Sequence, residues 1–374
     1  MGVEQLEPGH LTTDCLQPRG DHSIEIHTGI RTMKSMSTSQ TPPRSLTEPW
    51  ELGGIMIPNR IVLAPLAGIG NWFVRLQAKR YGAGLTVSEM VSSHAVHHGN
   101  ERTCRELLRI HPDEHPVSVQ LFGADPEVMA SAAERVAAAG ADLIDINMGC
   151  PVPKVCKTGA GAALLDDPDR AVAVALAAAK GSGLPVTVKL RTGLRPGDGK
   201  GVTVARELAE RGGVAGLSIH PRHASQRHSG KPDYELAAQL VQELPVPVLL
   251  SGGLRTAELA REAFERTGAD AILLARGSLG NPWVFEQLVG RREAEPTREE
   301  IITEVNWVLD CAVEHLGAER ANRYLRKFYP WYIERLGGTR AEQAVLQAAL
   351  QQTDTIELAR ELFTGAELRD QVAA

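Results

Sequence analysis

The chain has 374 residues, 43% of them hydrophobic and 23% charged, so it can bury a substantial core and is predicted to hold one large domain and a smaller one. No run approaches the roughly 18 to 20 consecutive apolar residues that span a bilayer, and the opening MGVEQLEPGHLTTD lacks the basic start and apolar centre of a signal peptide, so a soluble cytoplasmic protein without a membrane partner is expected. The net charge of −6 by itself counts slightly against a nucleic-acid partner, and the odd set of scattered cysteines (Cys15, Cys104, Cys150, Cys156, Cys311) argues for reduced thiols over a disulfide framework.

Residues 1–50 are rich in Thr, Ser, Pro, Gly and His and have no sustained apolar period, which predicts a flexible tail; a misassigned start codon is an equally plain reading. Over 51–290, short apolar runs alternate with Ala/Leu-rich stretches. Eight runs stand out: RIVLAPLAG (60–68), GLTVSEMVS (84–92), PVSVQLFG (116–123), ADLIDINMG (141–149), PVTVKLRTG (185–193), GLSIHPR (216–222), PVLLSGG (247–253) and AILLARG (271–277). Continuous Val/Ile/Leu runs mark strands covered on both faces, the habit of a parallel sheet. Helical patterns lie between them, as in 126–140, 169–181 and 256–268, each ending at a glycine suited to a C-cap. Eight evenly spaced strand–helix units predict a (β/α)8 TIM barrel in preference to an open doubly wound sheet.

A short eighth helix (280–288) and a polar linker (291–296) follow. Residues 295–374 carry no strand pattern and are predicted to form a small all-helical domain, with helices at 297–316, 319–336 and 340–373. Between residues 320 and 340 six cations, Arg320, Arg323, Arg326, Lys327, Arg335 and Arg340, face the single acid Glu334. The spacing of Arg320, Arg323 and Lys327 places them on one helix face, and the scarcity of acids suggests a surface for phosphates. Tyr324, Phe328, Trp331 and Tyr332 interleave with the charges and either stack on bases or pack the bundle, packing being the expected fate of most.

Barrel enzymes carry their sites at the C-terminal ends of the strands. Those ends here hold Pro65-Leu66-Ala67-Gly68, Gln120, Asn147-Met148-Gly149-Cys150-Pro151, Lys189 with Arg191, His220, Ser251-Gly252-Gly253 and Ala275-Arg276-Gly277. The glycine-bearing ends of the last two strands suit a phosphate, because small residues let backbone N–H groups approach an anion. Lys189 and Arg191 alternate on an apolar strand and so share a face; if that face is the barrel interior, either an anionic ligand or a buried acid, Asp145 or Glu89, must offset them. Cys150 sits in a turn between Gly149 and Pro151, and an ordinary thiol is mostly protonated at neutral pH and can donate a proton to a forming carbon acid. Cys156 follows through two prolines at a spacing that fits no common zinc motif, so no metal is expected.

The set APLAG, SEMVSS, VQLFG, DINMGCPVPKV, VKLRTG, IHPR, SGG and ARGSLGNPW resembles the tRNA-dihydrouridine synthases of the general bacterial type, in order from about residue 55 to 290, and RKFYPWY (326–332) is similar to that family's C-terminal RKH..WY element. The resemblance implies a bound FMN, reduced by NADPH, that passes a hydride to carbon-6 of a uridine in tRNA while Cys150 protonates carbon-5. It further implies that Pro65, Leu66, Ala67, Gln120, Lys189, Ser251, Gly252, Gly253, Ala275 and Arg276 hold the flavin, that His220 lines the site beside it, that Asn147 and Arg191 hold the uracil, and that Lys154 meets a tRNA phosphate or the extruded nucleotide. Several positions depart from the family pattern: Leu66 for Met, Pro221 for the Gly of IHGRT, Ser251 for Asn, Ala275 for Gly and Phe328 for the His of RKH. None removes a catalytic group, although Pro221 offers no N–H to a ligand. Two other readings compete. A dihydroorotate dehydrogenase-like FMN barrel acting on a free pyrimidine does not need the basic helical region, and a non-catalytic RNA-binding barrel does not need Cys150 with Lys189 and Arg191.

Overall fold

The computed structural model describes residues 44–366 and 368; residues 1–43, most of the stretch read as a tail, lie outside them. Eight parallel strands close a barrel: β1 (Ile61–Leu63), β2 (Leu85–Val87), β3 (Val117–Phe122), β4 (Leu143–Met148), β5 (Val186–Arg191), β6 (Gly216–His220), β7 (Val248–Ser251) and β8 (Ala271–Leu274). Neighbours in sequence pair in turn, and β8 returns to β1 with Ile272 opposite Ile61. The helices α1 (Trp72–Arg80), α2 (Ser93–His97), α3 (Pro126–Ala138), α4 (Pro168–Ser182), α5 (Lys200–Arg211), α6 (Tyr234–Glu243), α7 (Ala257–Thr267) and α8 (Trp283–Leu288) cover the outside. The second predicted strand, 84–92, is interrupted after Val87 and resumes only as Val91–Ser92, beside the end of β3. At the break the Ser88 hydroxyl accepts the Gln120 N–H at 2.9 Å, so a side chain replaces a rung of the ladder.

Residues 44–50, assigned from sequence to the tail, belong to the barrel. Leu46 and Trp50 are buried, and the Leu46 carbonyl accepts the Arg60 N–H at 2.8 Å. Trp50–Leu52 and Ile55–Ile57 form an antiparallel hairpin in which Trp50, Leu52 and Ile57 point inward while Met56 is exposed. Leu52 and Ile57 meet Leu143, Leu249 and Ala271 and so plug the N-terminal end of the barrel. The turn requires glycine: Gly53 has φ +60° and a Cβ there would lie 2.4 Å from Pro185 Cβ. Apolar side chains therefore fill the lower interior, leaving the polar ones at the other end.

Five helices follow: α9 (Arg298–Leu316), α10 (Ala318–Leu325), α11 (Tyr329–Leu336), α12 (Arg340–Gln352) and α13 (Ile356–Gly365). The predicted helix 319–336 breaks after Leu325 and restarts with Pro330 in its first turn, where a missing N–H costs nothing. The predicted helix 340–373 breaks at Thr353, whose buried hydroxyl donates to Leu350 O at 2.9 Å, and Thr355 then caps α13 by accepting the Leu358 N–H at 3.1 Å. These helices lie on α1, where Phe73 packs against Tyr324 and Phe328. A polar seam adds direction to the interface: buried Glu304 of α9 accepts from Gln77 Nε2 and from the Tyr81 hydroxyl of the barrel, both at 2.7 Å.

Candidate active site

With the hairpin closing one end, the interior positions nearest the C-terminal ends of the strands line a cavity of about 460 Å³. It brings together Pro65, Ala67, Gln120, Asn147, Cys150, Lys189, Arg191 and His220 of the residues singled out from sequence. Register explains the assembly, because Asn147 lies opposite Lys189 and Arg191 opposite His220 on strands of period two. Met90, from the break in the second predicted strand, and Arg227 and His228, from a loop whose sequence carries no periodic signal, also line it. Among the described residues Cys104, Cys150, Cys156 and Cys311 are free thiols.

Backbone contacts hold the Cys150 turn. Asn147 Oδ1 accepts the N–H groups of Gly149 at 3.2 Å and Cys150 at 2.9 Å, and Arg191 Nε donates to the Gly149 carbonyl at 3.0 Å. The Cys150 carbonyl accepts from Ala162 N at 3.0 Å and from the Cys156 thiol at 3.3 Å. Gly161 must be glycine beneath this turn, since a Cβ would sit 2.7 Å from that carbonyl. Arg191 also donates through Nη1 to Arg227 O at 2.8 Å, which fixes the loop after β6 where Arg227 adopts φ +53°.

Lys189 makes no hydrogen bond or ion pair with a protein group among the described residues, so neither Asp145 nor Glu89 closes a buried pair with it. Burial foremost, and then the neighbouring Arg191, push its ammonium down to about 8. Glu89 instead accepts the Gly68 N–H at 2.8 Å. His220 Nε2 lies 2.8 Å from Arg222 Nη1 and must accept from it, which assigns the ring proton to Nδ1. Burial, and after it Lys189, Arg191 and Arg222, drives the His220 pKa far below its ordinary value, so the ring is neutral.

The ends of β7 and β8 form a second part of the site. The buried Ser251 hydroxyl and Arg222 Nε have no partner among the described residues. Gly252 and Gly253 take φ +97° and +87°, and a Cβ on Gly252 would lie 2.4 Å from His220 Cδ2. Arg222, Arg255 and Arg276 adjoin one another with no ion pair among the described residues; burial, and then Arg255, lowers the pKa of Arg276. Sequence reasoning reached Ser251, Gly252, Gly253, Ala275 and Arg276 but missed Arg222 and Arg255, which follow the strand ends by a few residues.

Two further residues do not line the cavity. The Leu66 side chain is buried in the core shared with α1 and the C-terminal helices, leaving only its backbone near the barrel mouth. Lys154 is exposed on a single helical turn, Pro153–Cys156, beside the cavity-lining Val152 and Pro153. Of the six patch cations, Arg320, Arg323 and Lys327 line a cleft of about 330 Å³ between the barrel loops and the C-terminal helices, together with Arg102. Their charge is tempered: Arg320 pairs with Glu106, distant in sequence, at 2.9 Å, Arg323 with Glu319, one helical turn before it, at 2.7 Å, and Lys327 donates to Gly68 O at 2.9 Å. Arg326 turns away and donates to Thr353 O at 3.0 Å. Phe328 and Tyr332 are buried and Tyr324 and Trp331 are half-buried against the same core, so the interleaved aromatics pack the bundle.

Residues 62–367 match the dihydrouridine synthase family. The chain is 39% identical to tRNA-dihydrouridine synthase B of Pseudomonas aeruginosa, over 81% of its own length and 92% of that protein. It is 32% identical to a probable tRNA-dihydrouridine synthase 1 of Synechocystis, over 90% of its length and 94% of that protein. Among solved structures it resembles morphinone reductase in fold alone, with a TM-score of 0.50 and 18% identity over 71% of this chain and 94% of that one. With its barrel, its cysteine turn and these relatives all in agreement, the chain belongs to the dihydrouridine synthase family of flavin-dependent oxidoreductases.

Proposed function

We propose that the protein is an FMN-dependent tRNA-dihydrouridine synthase that reduces the carbon-5/carbon-6 double bond of uridines in tRNA, with NADPH as reductant. The observation that carries this reading is the Cys150 turn held at the mouth of a cavity that also presents Lys189, whose ammonium has no hydrogen bond or ion pair among the described residues and whose charge Asp145 tempers only from a distance. The residues present fit FMN. Ser251, Gly252, Gly253, Ala275 and Arg276, joined by Arg222 and Arg255, offer a glycine cradle, an unpartnered hydroxyl and cations for its phosphate, while Pro65, Ala67, Gln120 and Lys189 line the cavity that would take the ring. Bound FMN would supply the hydride added to carbon-6. Cys150 gives the proton to carbon-5, and the thiolate left behind is reprotonated from solvent. Asn147 keeps one Nδ2 hydrogen free of protein oxygen, and Arg191 has Nη2 without a partner among the described residues, so both can donate to uracil carbonyls. Neutral His220 lines the same wall without adding charge. Lys154 stands at the rim for a tRNA phosphate. The direct test is mass spectrometry of tRNA from a deletion strain: loss of dihydrouridine at defined positions, restored by the intact gene, is expected, and an unchanged set of modifications excludes the reading.

The Lys189 ammonium sets a pH dependence for flavin binding. In the ligand-free cavity it is charged below about 8, and an anionic ligand beside it favours the charged form and raises its pKa. FMN affinity should therefore be full below that pH and fall above it, by up to about tenfold per pH unit until the pKa of the complex is reached. Titration of flavin fluorescence on both sides of pH 8 measures this. Lys189→Met should bind more weakly with a flat profile, and a flat profile in the parent would remove Lys189 as the charge partner.

The cleft bearing Arg320 and Arg323 is the proposed tRNA surface. Arg320→Gln with Arg323→Gln removes two cations, and the amide introduced at position 320 can still hydrogen-bond Glu106. The salt slope of tRNA binding should fall by about 0.7 to 0.9 for each phosphate that is no longer neutralised, with FMN content unchanged. Filter-binding titrations across salt concentrations check this, and an unaltered slope would move the tRNA surface elsewhere.

A further inference from the structure

A buried row of side chains joins the middle of the barrel to the cysteine turn. The Thr187 hydroxyl donates to Asp145 Oδ1 at 2.7 Å, Gln120 Nε2 donates to Asp145 Oδ2 at 2.6 Å, Asn147 Nδ2 donates to Gln120 Oε1 at 2.9 Å, and Asn147 Oδ1 accepts the Gly149 and Cys150 N–H groups. Each of the two amides could be turned end for end at no steric cost, so something must decide which way they face. A carboxylate only accepts hydrogen bonds. Asp145, itself 2% exposed, therefore forces Gln120 to point its N–H groups inward and its oxygen at Asn147. Asn147 in turn must offer Gln120 an N–H, which leaves its oxygen for the turn and its second N–H for the cavity, where its one other partner among the described residues is the weakly accepting Met90 sulfur at 4.0 Å.

We infer that Asp145 is a positioning residue: it fixes the polarity of the Gln120–Asn147 chain and thereby holds the Cys150 turn and makes Asn147 a donor to the substrate. Its effect on the turn stands on the hydrogen bonds alone, whereas its effect on catalysis rests on the proposed role of Cys150. Asp145→Asn keeps the shape and removes the constraint. The neutral amide can present its N–H group to position 120, Gln120 then reverses, and a reversed Asn147 sets N–H groups against the N–H groups of the turn. Moving the carboxylate one step along the chain should undo this. In Asp145→Asn/Gln120→Glu, the new carboxylate accepts from the amide at position 145 on one side and from Asn147 on the other, and the original polarity at Asn147 returns.

Hydrogen exchange at the Gly149 and Cys150 amides reads the turn directly, alongside dihydrouridine formation. Asp145→Asn should speed exchange at these two amides by about tenfold, the loss of roughly one net hydrogen bond, and reduce product formation, while the double variant restores protection. Gln120→Leu, which cuts the chain but leaves Asp145 bonded to Thr187, should lose protection in the same way. A general weakening of the barrel would not be repaired by Gln120→Glu. Unchanged exchange in Gln120→Leu, or a double variant as unprotected as Asp145→Asn, would overturn the inference. Restored protection without any activity in the double variant would still support Asp145 as the group that holds the turn, the lost activity falling to the carboxylate that Gln120→Glu sets in the flavin cavity.

Discussion

Cys150→Ala should lower the rate of dihydrouridine formation by about 10² to 10⁴-fold, the usual contribution of a positioned general acid, while FMN content and flavin-dependent NADPH oxidation stay near the parental level. The separation is expected because every contact that holds the turn belongs to the backbone of residues 149 and 150: their N–H groups rest on Asn147, the Gly149 carbonyl on Arg191, and the Cys150 carbonyl on Ala162 and Cys156. Removing Sγ alters none of these. Cys156→Ala removes a single 3.3 Å hydrogen bond to the Cys150 carbonyl and should change the rate little. Single-turnover measurements with pre-reduced enzyme and excess tRNA isolate the step. Product formed at the parental rate by Cys150→Ala would transfer the acid role to another group, and a rate in Cys156→Ala as low as that of Cys150→Ala would show that the turn depends on that thiol.

The barrel was legible because its strands are buried on both faces and so read as unbroken Val/Ile/Leu runs, and the strand-end residues followed from the period-two alternation that puts Gln120, Asn147, Lys189 and His220 in one chamber. What escaped was set by contacts distant in sequence. The WELGGIMI hairpin is too short to stand out, although a Gly-Gly pair flanked by alternating apolar residues is the signal that would have found it. The C-terminal helices read as three because their periodicity runs through Thr353, and only a buried hydroxyl bonded to Leu350 and Asn322 shows why the chain stops there. The cationic patch looked unpaired because Glu106, which meets Arg320, lies more than two hundred positions earlier. Arg222 ends the GLSIHPR run just past the strand, where period alone does not mark its role, and Arg227 and His228 sit in a loop with no period at all.

Glu114→Ala should destabilise the protein by about 3–5 kcal/mol, the cost of leaving one member of a buried ion pair without its partner, and this is a large share of the roughly 5–15 kcal/mol that holds most domains folded. Arg75 and Glu114 are 1% and 0% exposed, with Arg75 Nε 2.7 Å from Glu114 Oε2 and Nη2 3.0 Å from Oε1. The guanidinium also donates to Gly70 O at 3.0 Å and to Arg109 O at 2.7 Å, so this cation organises both the loop after β1 and the loop before β3. The first of these loops carries Pro65 and Ala67 to the cavity. Without its acid, Arg75 must either stay charged in an apolar setting or draw water in, and both outcomes loosen Gly70. Urea unfolding followed by circular dichroism should thus show a lower midpoint, and FMN should dissociate at lower denaturant than in the parent. Replacing both partners, as in Arg75→Met/Glu114→Leu, should recover much of the stability, because no uncompensated charge remains, but not the tether on Gly70. If Glu114→Ala unfolds at the parental midpoint, the pair is not a stabilising cross-link; if the double variant recovers stability and also binds FMN as tightly as the parent, the loop after β1 is held without Arg75.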